Sequence, residues 1–361
     1  MRASWCRVRV DAKLDRPISH TSAGRSWTSR PSALVHLVSK DGTTGLGELA
    51  PLPDYSPDDI NEGIRALSAV EPIEIGPHDL SKPRTLLARV EAMVPRSLPA
   101  ARFALSSAVL DWVGQQAGSA AWELLATLPA KVLETPVPLS ALLTGDSAAA
   151  RRAAAEQRLA EGYTSLKLKL TNAKAPLAEA EELAPLLKER SARLRLDANQ
   201  SLSKATLTKL NSQLSELPLD SFEEPAAAED WEAWVKGGAP APLALDESLF
   251  HAPASLKRLL DARRATALVL KPTCLGLARS LDLADQAKRA GVEVTVSHCF
   301  EGPVGYTAVC AVALAVASRE LPSGLAPHGG LGELNRSIPF ISSGKLTPWA
   351  TSGLDTEFAT R

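Results

Sequence analysis

Five short apolar segments of this chain end in ionisable residues and follow one another at intervals of about 25 positions. Their charged ends read KLK at 167–169, DAN at 197–199, EEP at 223–225, DES at 246–248 and KP at 271–272. In a (β/α) barrel the active site is built from the carboxyl ends of successive strands and from the loops that follow them. The spacing therefore predicts a (β/α) barrel whose site combines acidic side chains with lysines.

From residue 137 to about residue 330, strand-like and amphipathic segments alternate, which is typical of parallel βαβ units. The strand candidates are VPLSALL, SLKLKL, RLRLDA, LDSFEE, LALDE, ALVLKP and VEVTVS. Seven or eight such units in about 190 residues fit a closed barrel better than an open sheet. No GxGxxG turn lies at a strand-to-helix junction, which weakens a dinucleotide-binding alternative.

Residues 1–130 do not show this alternation of strand-like and amphipathic segments. Segments 5–10 and 33–38 alternate as strands, and Asp41-Gly42 predicts a turn before GLGELAPLP. Helical patterns follow, the strongest of them with a broad apolar face at 100–116. This half of the chain is therefore expected to be α+β in character.

The length of 361 residues admits one large barrel together with a smaller domain. We predict an α/β protein in which a (β/α) barrel, a modified TIM barrel, occupies residues 131–330. An α+β capping domain is expected over residues 1–130, completed by a C-terminal tail of about residues 331–361.

The net charge of −1, from 40 basic and 41 acidic residues, gives no indication of a nucleic acid or an anionic membrane as partner. The four cysteines are scattered without a CxxC pair, as in cytoplasmic proteins with reduced thiols. The N-terminal residues lack an apolar leader, and the longest apolar stretch, at 307–317, is too short to span a bilayer. We therefore expect a cytoplasmic protein that acts on a small molecule. The oligomeric state stays open.

Alternation along SLKLKL places Lys167 and Lys169 on one face of the strand and the leucines on the other. In a barrel strand the leucines would face the helices and the lysines would point inward. Two inward lysines are costly unless acids accompany them, and burial lowers the pKa of an ammonium group towards that of a useful base. A half-exposed strand with a solvated basic face is the alternative.

Asp197, Glu223 and Asp246 place one carboxylate at the end of each of three consecutive strands. Oxygen-only ligands without histidine favour a hard cation, so we predict Mg²⁺, with Mn²⁺ as the alternative. Any single acid of this set would also suit the N-terminal cap of the following helix. Their regular spacing together with the lysines favours the metal site.

Lys271 ends the fifth segment, on the side of the barrel opposite the strand that carries Lys167 and Lys169. Cations on both sides of a carboxylate substrate would remove an α-proton and stabilise the resulting enediolate. A simple strand end at Lys271-Pro272 is the alternative reading.

These motifs resemble the muconate-lactonising subgroup of the enolase superfamily: KLK for K-x-K, DANQ for D-x-N, FEEP for E-x-P, then DES and KPT. The resemblance extends over nearly the whole chain, including the segment ARFALSSAVLDWVGQQAGSAAWELL of the capping domain. Within the subgroup, GLGELAPLPDYS with LRLDAN, FEEP, LDES and LKPT is most similar to the o-succinylbenzoate synthase family.

The resemblance implies an enzyme with distinct roles for its lysines and acids. Lys169 would be the base, Lys167 would tune it and help to neutralise the substrate carboxylate, and Lys271 would face the other side of the intermediate. Glu223 is chosen over Glu224 because the family ligand stands two residues before the proline. The implied Mg²⁺ ligands are Asp197, Glu223 and Asp246. Asn199 and Glu247 would contact the ligands, and Ser297 and Glu301 would bind substrate.

The implied reaction is the dehydration of 2-succinyl-6-hydroxy-2,4-cyclohexadiene-1-carboxylate to o-succinylbenzoate in menaquinone biosynthesis, with a carboxylate as substrate. N-Succinylamino acid racemisation and dipeptide epimerisation are alternatives within the same subgroup, since the same lysines would serve. A non-catalytic barrel would be expected to have lost members of the lysine and acid set, which is intact here.

The chain departs from the resemblance after the strand VEVTVS, where it reads SHCFEG at 297–302 in place of a run of serines before the glutamate. His298 is expected to pack or to hydrogen bond at the barrel rim, and with Cys299 it would alter how the succinyl carboxylate is held. Residues 54–56 and 19–27 are expected to form capping-domain loops that close over the substrate. An ordinary surface loop is the alternative for 19–27.

Overall fold

An antiparallel sheet opens the chain in the computed structural model, which describes residues 3–22, 25–170, 174–237, 241–251, 253–261, 264–336 and 338–356. Four of its strands lie in the order β2-β3-β1-β5, and β4 pairs with β3. The strands are β1 (Ser4–Val10), β2 (Leu14–Ser22), β3 (Arg25–Ser39), β4 (Thr44–Leu49) and β5 (Ile73–Ile75).

One prediction about this sheet was wrong. Residues 19–27 were expected to form a loop, but the end of β2 and the start of β3 lie there and pair with each other, with Thr21 opposite Ser26. Residues 23 and 24 lie outside the described part of the chain. The serines and threonine of this segment gave no apolar alternation, so the strand signal was absent although backbone pairing extends through it.

Six helices belong to this half of the chain, and the first and fourth of them pack on the antiparallel sheet. The longest, α4, packs on β4, where Gly47 lies so close to it that a Cβ atom would come within 2.0 Å of the carbonyl oxygen of Ala104. Glycine in GLGEL therefore permits the contact between strand and helix. The helices are α1 (Ile60–Ser68), α2 (Pro77–Leu80), α3 (Pro83–Glu91), α4 (Pro99–Ala117), α5 (Ala121–Leu125) and α6 (Ala130–Leu133).

Seven parallel strands form the barrel in chain order from β7 to β13. The ring is completed by bridges from Ser323 to Leu139 and from Gly324 to Ser297, so residues 323–324 act as a short eighth strand. The predicted barrel is confirmed. The preceding short strand is β6 (Val137–Pro138), and the barrel strands are β7 (Ser140–Leu142), β8 (Ser165–Lys169), β9 (Arg193–Asp197), β10 (Leu219–Glu223), β11 (Leu243–Leu245), β12 (Ala267–Leu270) and β13 (Glu293–Val296).

Helices connect the barrel strands, as the alternating pattern predicted. The apolar stretch that was too short for a bilayer is α15, all of whose residues are buried, and none of the described helices is long and apolar enough to cross a membrane. The helices are α7 (Ala148–Ala160), α8 (Ala178–Glu189), α9 (Lys204–Glu216), α10 (Ala228–Lys236), α11 (Ser248–His251), α12 (Pro253–Asp261), α13 (Pro272–Leu275), α14 (Leu277–Ala290) and α15 (Pro303–Val316).

Two buried carboxylates from the N-terminal half cap helices of the barrel. Glu48 on β4 accepts hydrogen bonds from the backbone N–H groups of Gly302, at 3.1 Å, and Gly305, at 2.8 Å, at the start of α15. Glu91 on α3 accepts one from Ala278 at the start of α14, at 2.9 Å. A carboxylate at a helix N-terminus satisfies N–H groups that have no partner within the helix. These contacts hold the N-terminal layer over the barrel mouth.

The C-terminal segment contacts both halves of the chain. After a 3₁₀ helix at Gly329–Arg336, the hairpin of β14 (Ile341–Ser342) and β15 (Lys345–Leu346) pairs with β6. Further along, Leu354 donates its backbone N–H to Oδ1 of Asp111 on α4, at 2.8 Å. This hydrogen bond joins the C-terminal segment to α4.

Candidate active site

Three acidic side chains lie at the carboxyl ends of three neighbouring barrel strands. Asp197 ends β9 and Glu223 ends β10, directly opposite each other in the register, and Asp246 follows β11. All three side chains are at most 1% exposed. The parallel register forces this convergence, because the last residues of adjacent parallel strands lie at the same edge of the sheet.

Lys167, on β8, bridges two of these acids. Its Nζ lies 2.8 Å from Oδ2 of Asp197 and 2.6 Å from Oε1 of Glu223. Burial alone would lower the pKa of this ammonium group, but the two carboxylates outweigh it and raise the pKa to about 12. Lys167 therefore stays charged and cannot serve as a base near neutral pH.

Lys169 lies two residues further along β8 in a different environment. Its Nζ is 3.7 Å from Oδ2 of Asp197 and donates to Oδ1 of Asn199 at 3.3 Å. Burial is the largest influence on this ammonium group, and its pKa lies below the ordinary value despite the attraction of Asp197. Of the two lysines on β8, Lys169 is thus the one that loses its proton more readily.

Lys271 follows β12, on the other side of the three acids from Lys167 and Lys169, and lines the same cavity above the strand ends as these two lysines. Its Nζ donates to Oδ2 of Asp246 and, at 2.6 Å, to the hydroxyl oxygen of Tyr55, and it lies 4.8 Å from the centre of that ring. Burial opposes the charged form, but Asp246 and then Tyr55 outweigh it and raise the pKa of Lys271 well above its usual value. Lys271 is therefore a permanent cation in the cavity wall.

The carboxylate set fits a divalent cation. Oε2 of Glu223 and Oδ1 of Asp246 are buried and have no hydrogen-bond partner among the described residues. A buried carboxylate oxygen without a donor is unfavourable unless a cation approaches it. Three carboxylates without histidine or cysteine are the donor set of Mg²⁺ rather than of zinc.

Glu224, the neighbour of Glu223, is committed to protein hydrogen bonds. Its Oε1 accepts from the backbone N–H groups of Asp246 and Ser248, both at 2.8 Å, and its Oε2 accepts from Oγ of Ser248 at 2.9 Å and from Gln200 at 3.2 Å. Burial raises the pKa of this carboxyl to about 7. Glu224 therefore holds the turn after β11, whereas Glu223 faces the lysines.

Asn199 and Glu247 contact each other beside the acids. Nδ2 of Asn199 donates to Oε1 of Glu247 at 2.7 Å, and the backbone N–H of Asn199 donates to Oδ1 of Asp197 at 3.0 Å. Asn199 has a positive φ of 42°, which asparagine adopts more readily than most residues. The pair therefore orients Asp197 and the amide that receives the Lys169 hydrogen bond.

A cavity of about 700 Å³ opens above these strand ends. All three lysines line it, as do Ser297, His298 and His328. Glu301, predicted to bind substrate, is not among the residues that line it. Its Oε1 accepts from the hydroxyl of Thr273 and its Oε2 accepts from the backbone N–H of Cys299 at 2.8 Å. The structure thus places Ser297 at the cavity, whereas both carboxylate oxygens of Glu301 accept hydrogen bonds from the protein.

One contact of the site and one cavity-lining residue were missed or only partly anticipated from sequence. Residues 54–56 were expected near the substrate, but the contact of Tyr55 with Lys271 spans 216 positions and no local pattern indicates it. His328 lies in an irregular segment beyond the last predicted strand. Only His298 was expected at the barrel rim, and the sequence gave no motif that indicated His328.

The family model described as enolase C-terminal domain-like matches residues 149–359, more than half of the chain. The chain therefore belongs to this family, and it is an enzyme of the enolase superfamily. It is similar to an o-succinylbenzoate synthase from Thermosynechococcus vestitus, with 28% identity over 316 residues that cover 86% of this chain and 87% of the relative.

Solved structures show the same fold. Muconate lactonizing enzyme from Pseudomonas fluorescens, complexed with muconolactone, superposes with a TM-score of 0.81 at 21% identity and covers 98% of this chain and 96% of its own. A dipeptide epimerase from Methylococcus capsulatus, complexed with Mg and the dipeptide L-Arg-D-Lys, gives a TM-score of 0.78 at 24% identity, with 98% and 99% coverage. The predicted superfamily and capped-barrel architecture are confirmed.

Proposed function

We propose that this enzyme is an o-succinylbenzoate synthase, a carbon–oxygen lyase that dehydrates 2-succinyl-6-hydroxy-2,4-cyclohexadiene-1-carboxylate in menaquinone biosynthesis. The observation that carries the proposal is the arrangement of three acids at the ends of consecutive strands. The two strands on either side of them bear Lys167, Lys169 and Lys271, which line one cavity. The similarity to a named o-succinylbenzoate synthase over most of both chains supports this activity over others of the superfamily. A cytoplasmic location is part of the same proposal.

Asp197, Glu223 and Asp246 would hold Mg²⁺. Their carboxylate chemistry supports this, as do the buried oxygens of Glu223 and Asp246 that lack a hydrogen-bond partner within the described residues. When bound, the ion supplies positive charge next to the substrate carboxylate and so acidifies the neighbouring C–H bond. Lys167, which contacts two of these acids, completes the positive environment. Asn199 and Glu247 would keep the acids oriented.

The chain's own lysines carry the proton transfers in this proposal. Neutral Lys169 takes the α-proton of the substrate, and the electron pair of the C–H bond delocalises into the carboxylate as an enediolate. Lys271, on the other side of the cavity, stabilises that charge by its fixed ammonium group. The Lys169 ammonium then gives its proton to the departing hydroxyl, so water leaves, the ring becomes aromatic and neutral Lys169 is restored.

A spectrophotometric assay tests the proposal directly. Purified protein is mixed with the cyclohexadiene substrate and Mg²⁺, and the loss of diene absorbance is followed before and after a chelator is added. We expect rapid loss that stops with the chelator and returns with excess Mg²⁺. Folded, Mg²⁺-loaded protein that leaves the diene unchanged would disprove the synthase activity.

A 1,1-proton transfer is the second candidate, because Lys169 and Lys271 face one cavity from strands on either side of the acids. Racemisation of N-succinylamino acids or epimerisation of dipeptides needs two such groups, and the chain shares its fold with a dipeptide epimerase. Exchange of the α-proton of an N-succinylamino acid or a dipeptide with D₂O, measured by NMR, would indicate the 1,1-proton transfer.

Replacing Lys271 with alanine is expected to lower kcat of the dehydration by about 100-fold, since the enediolate loses a preorganised cation in a dry site. Steady-state kinetics of the purified variant provide the measurement. Lys257→Ala, at an exposed lysine on α12, is the matched control and should retain full activity. A variant that keeps more than about half of the activity would show that Lys271 does not stabilise the intermediate.

Replacing Tyr55 with phenylalanine is expected to lower kcat about tenfold, because the hydroxyl group that accepts the Lys271 hydrogen bond is lost while the ring remains. The measured quantities are kcat and KM at fixed Mg²⁺. An unchanged kcat would show that Tyr55 only packs against Phe250, whose ring lies 6.0 Å away.

A further inference from the structure

Two of the four cysteines lie together beside the strand ends that carry the site. Cys274 is in α13, the short helix that follows Lys271, and Cys299 follows β13, the strand next to β12 in the barrel. Their Sγ atoms are 3.6 Å apart, and the two side chains are 2% and 3% exposed. The proposed reaction gives this buried pair of thiols no role.

Glu301 holds the two cysteine segments against each other. One of its carboxylate oxygens accepts from the hydroxyl of Thr273, the residue before Cys274, and the other accepts from the backbone N–H of Cys299 at 2.8 Å. The Glu301 side chain is buried, so water does not compete for these hydrogen bonds. The two thiols are therefore aligned in the folded protein, and a reaction between them needs little further loss of freedom.

A buried cation lies close to the thiols. Arg30, on β3, is fully buried, and its Nη2 donates to the carbonyl oxygen of Ala50. Its Nε and Nη1 have no hydrogen-bond partner among the described residues. Burial lowers the pKa of Arg30, an effect that Glu301 and the two thiols oppose. Positive charge beside a thiol favours the thiolate, which is the reactive form of cysteine.

The pair is expected to be reduced in the resting protein. The hydrogen bond to Cys274 and burial raise the pKa of the Cys299 thiol well above its usual value. A thiol that keeps its proton reacts slowly, so oxidation of the pair requires a strong oxidant such as a hydroperoxide. Disulfides of cytoplasmic proteins are usually of this transient, redox-responsive kind.

The active-site cavity brings a small oxidant close to the pair. Cys299 stands between His298 and Phe300 in the chain, and both of these neighbours line the cavity. A hydroperoxide that enters the cavity therefore comes within one residue of the Cys299 thiol.

The pair is connected to Lys271 by short contacts. The backbone N–H of Cys274 donates to the carbonyl oxygen of Lys271 at 2.9 Å. Sγ of Cys274 lies 3.9 Å from Oγ of Ser56, the neighbour of Tyr55, whose hydroxyl accepts the Lys271 hydrogen bond. A disulfide bond is about 2.0 Å long, so the sulfur atoms would approach each other by about 1.5 Å. In a close-packed interior such a shift moves the neighbouring groups.

We propose that Cys274 and Cys299 form a modification site at which a hydroperoxide produces an intramolecular disulfide and thereby displaces Lys271 from its position in the cavity wall. The bond itself does not depend on the proposed function, whereas its effect on turnover rests on that function. A dithiol reductant would reverse the change, so the enzyme would regain its activity.

The oxidation proceeds in two steps. The thiolate sulfur of one cysteine attacks an oxygen atom of the peroxide, the O–O bond breaks, and the other oxygen leaves with the thiol proton as water or alcohol. The sulfur atom of the second cysteine then attacks the resulting sulfenic acid, the S–O bond breaks, and the hydroxide leaves with the second thiol proton as water. The two thiols together lose two electrons, which the peroxide gains.

The test treats native protein with hydrogen peroxide and titrates its free thiols after denaturation. We expect their number to fall from four to two. Digestion with trypsin and Glu-C separates Cys299 from Cys310, because Glu301 lies between them, and the unreduced digest should contain a peptide pair joined through Cys274 and Cys299. The kcat of dehydration should fall about tenfold as Lys271 moves, and dithiothreitol should restore both kcat and the thiols.

Variants identify the thiols that respond. Cys274→Ala and Cys299→Ala each remove one member of the pair, so neither should form the joined peptides, and kcat of each treated variant should stay close to its own untreated value. Cys310→Ala removes a buried thiol of α15 that lies outside the pair, and it should keep the full response to peroxide.

Several results would overturn the proposal. Four free thiols after treatment of the native protein would do so, as would a disulfide that includes Cys6 or Cys310, or sulfinic acids in place of a disulfide. A disulfide between Cys274 and Cys299 that leaves kcat unchanged would reject the displacement of Lys271.

Failure of the synthase activity is distinguishable from failure of this inference, because the thiol titration and the peptide map need no substrate. If the diene is not converted, calorimetric titration with Mg²⁺ replaces kcat, since Lys271 forms an ion pair with Asp246. Reduced and oxidised protein should then differ in Mg²⁺ affinity, and equal affinities would reject the displacement.

Discussion

Replacing Lys169 with alanine is expected to lower kcat of the dehydration by about 10⁴-fold while leaving the fold intact. The same amine takes the α-proton and returns it to the departing hydroxyl, so its loss affects both proton transfers. No other lysine on β8 can replace it, because Lys167 is held as an ammonium by Asp197 and Glu223. Single-turnover kinetics with the purified variant, and circular dichroism to verify folding, provide the measurement.

The pH dependence of the native enzyme supplies an internal test of this role. The base must be neutral, so kcat should rise with pH through the pKa of Lys169, which burial places below its ordinary 10.5. Lys188→Ala, at an exposed lysine of α8, should leave both kcat and its pH profile unchanged. Near-normal turnover of Lys169→Ala would remove this residue as the base.

Replacing Glu223 with glutamine is expected to raise the Mg²⁺ concentration needed for half-maximal activity by at least about 100-fold. The change removes one of three negative charges facing the cation and breaks the ion pair with Lys167, 2.6 Å away. Activity titrations with Mg²⁺, together with calorimetric Mg²⁺ binding, measure the shift. Oε2 of Glu223 has no hydrogen-bond partner in the described part of the chain, so we expect Glu223 rather than Glu224 to bind the cation.

Glu224→Gln is the matched control, because it makes the same chemical change one residue away. The glutamine carbonyl oxygen still accepts from the backbone N–H groups of Asp246 and Ser248. Its NH₂ group cannot accept from Oγ of Ser248 or from Gln200, so we expect the free energy of unfolding to fall by about 1–3 kcal/mol. The Mg²⁺ requirement should change by less than about threefold at a temperature where the variant is folded. A larger shift for Glu224→Gln than for Glu223→Gln would show that the acids are wrongly assigned.

Much of the fold was accessible from sequence because barrel strands encode their ends locally. Each apolar run terminates in charged residues that the parallel register then brings together. Spacing therefore predicted that Asp197, Glu223 and Asp246 would converge, and the choice of Glu223 over Glu224 came from the family resemblance. The helix pattern was equally local, apart from α15, whose continuous apolarity gave no amphipathic period. The prediction of a loop at residues 19–27 was wrong because the strands there are polar and show no hydrophobic alternation.

The particular behaviour of each site residue was not accessible in this way. Lys167 and Lys169 are equivalent in the sequence pattern, yet the pKa of one is raised and that of the other is lowered. The difference arises from which carboxylates lie within ion-pair distance, and these carboxylates belong to other strands. Glu301 was likewise predicted to bind substrate, but its two carboxylate oxygens accept hydrogen bonds from Thr273 and Cys299.

The sequence by itself determined the barrel, its capping layer and the chemical character of its strand ends, because alternation, spacing and residue type are local properties. Only the tertiary structure decided that Tyr55 contacts Lys271, that Glu224 accepts hydrogen bonds from the turn after β11, and that two histidines lie side by side at the rim. These outcomes depend on distances between segments far apart in the chain. Hydrogen bonding and pKa respond to those distances and not to sequence neighbours.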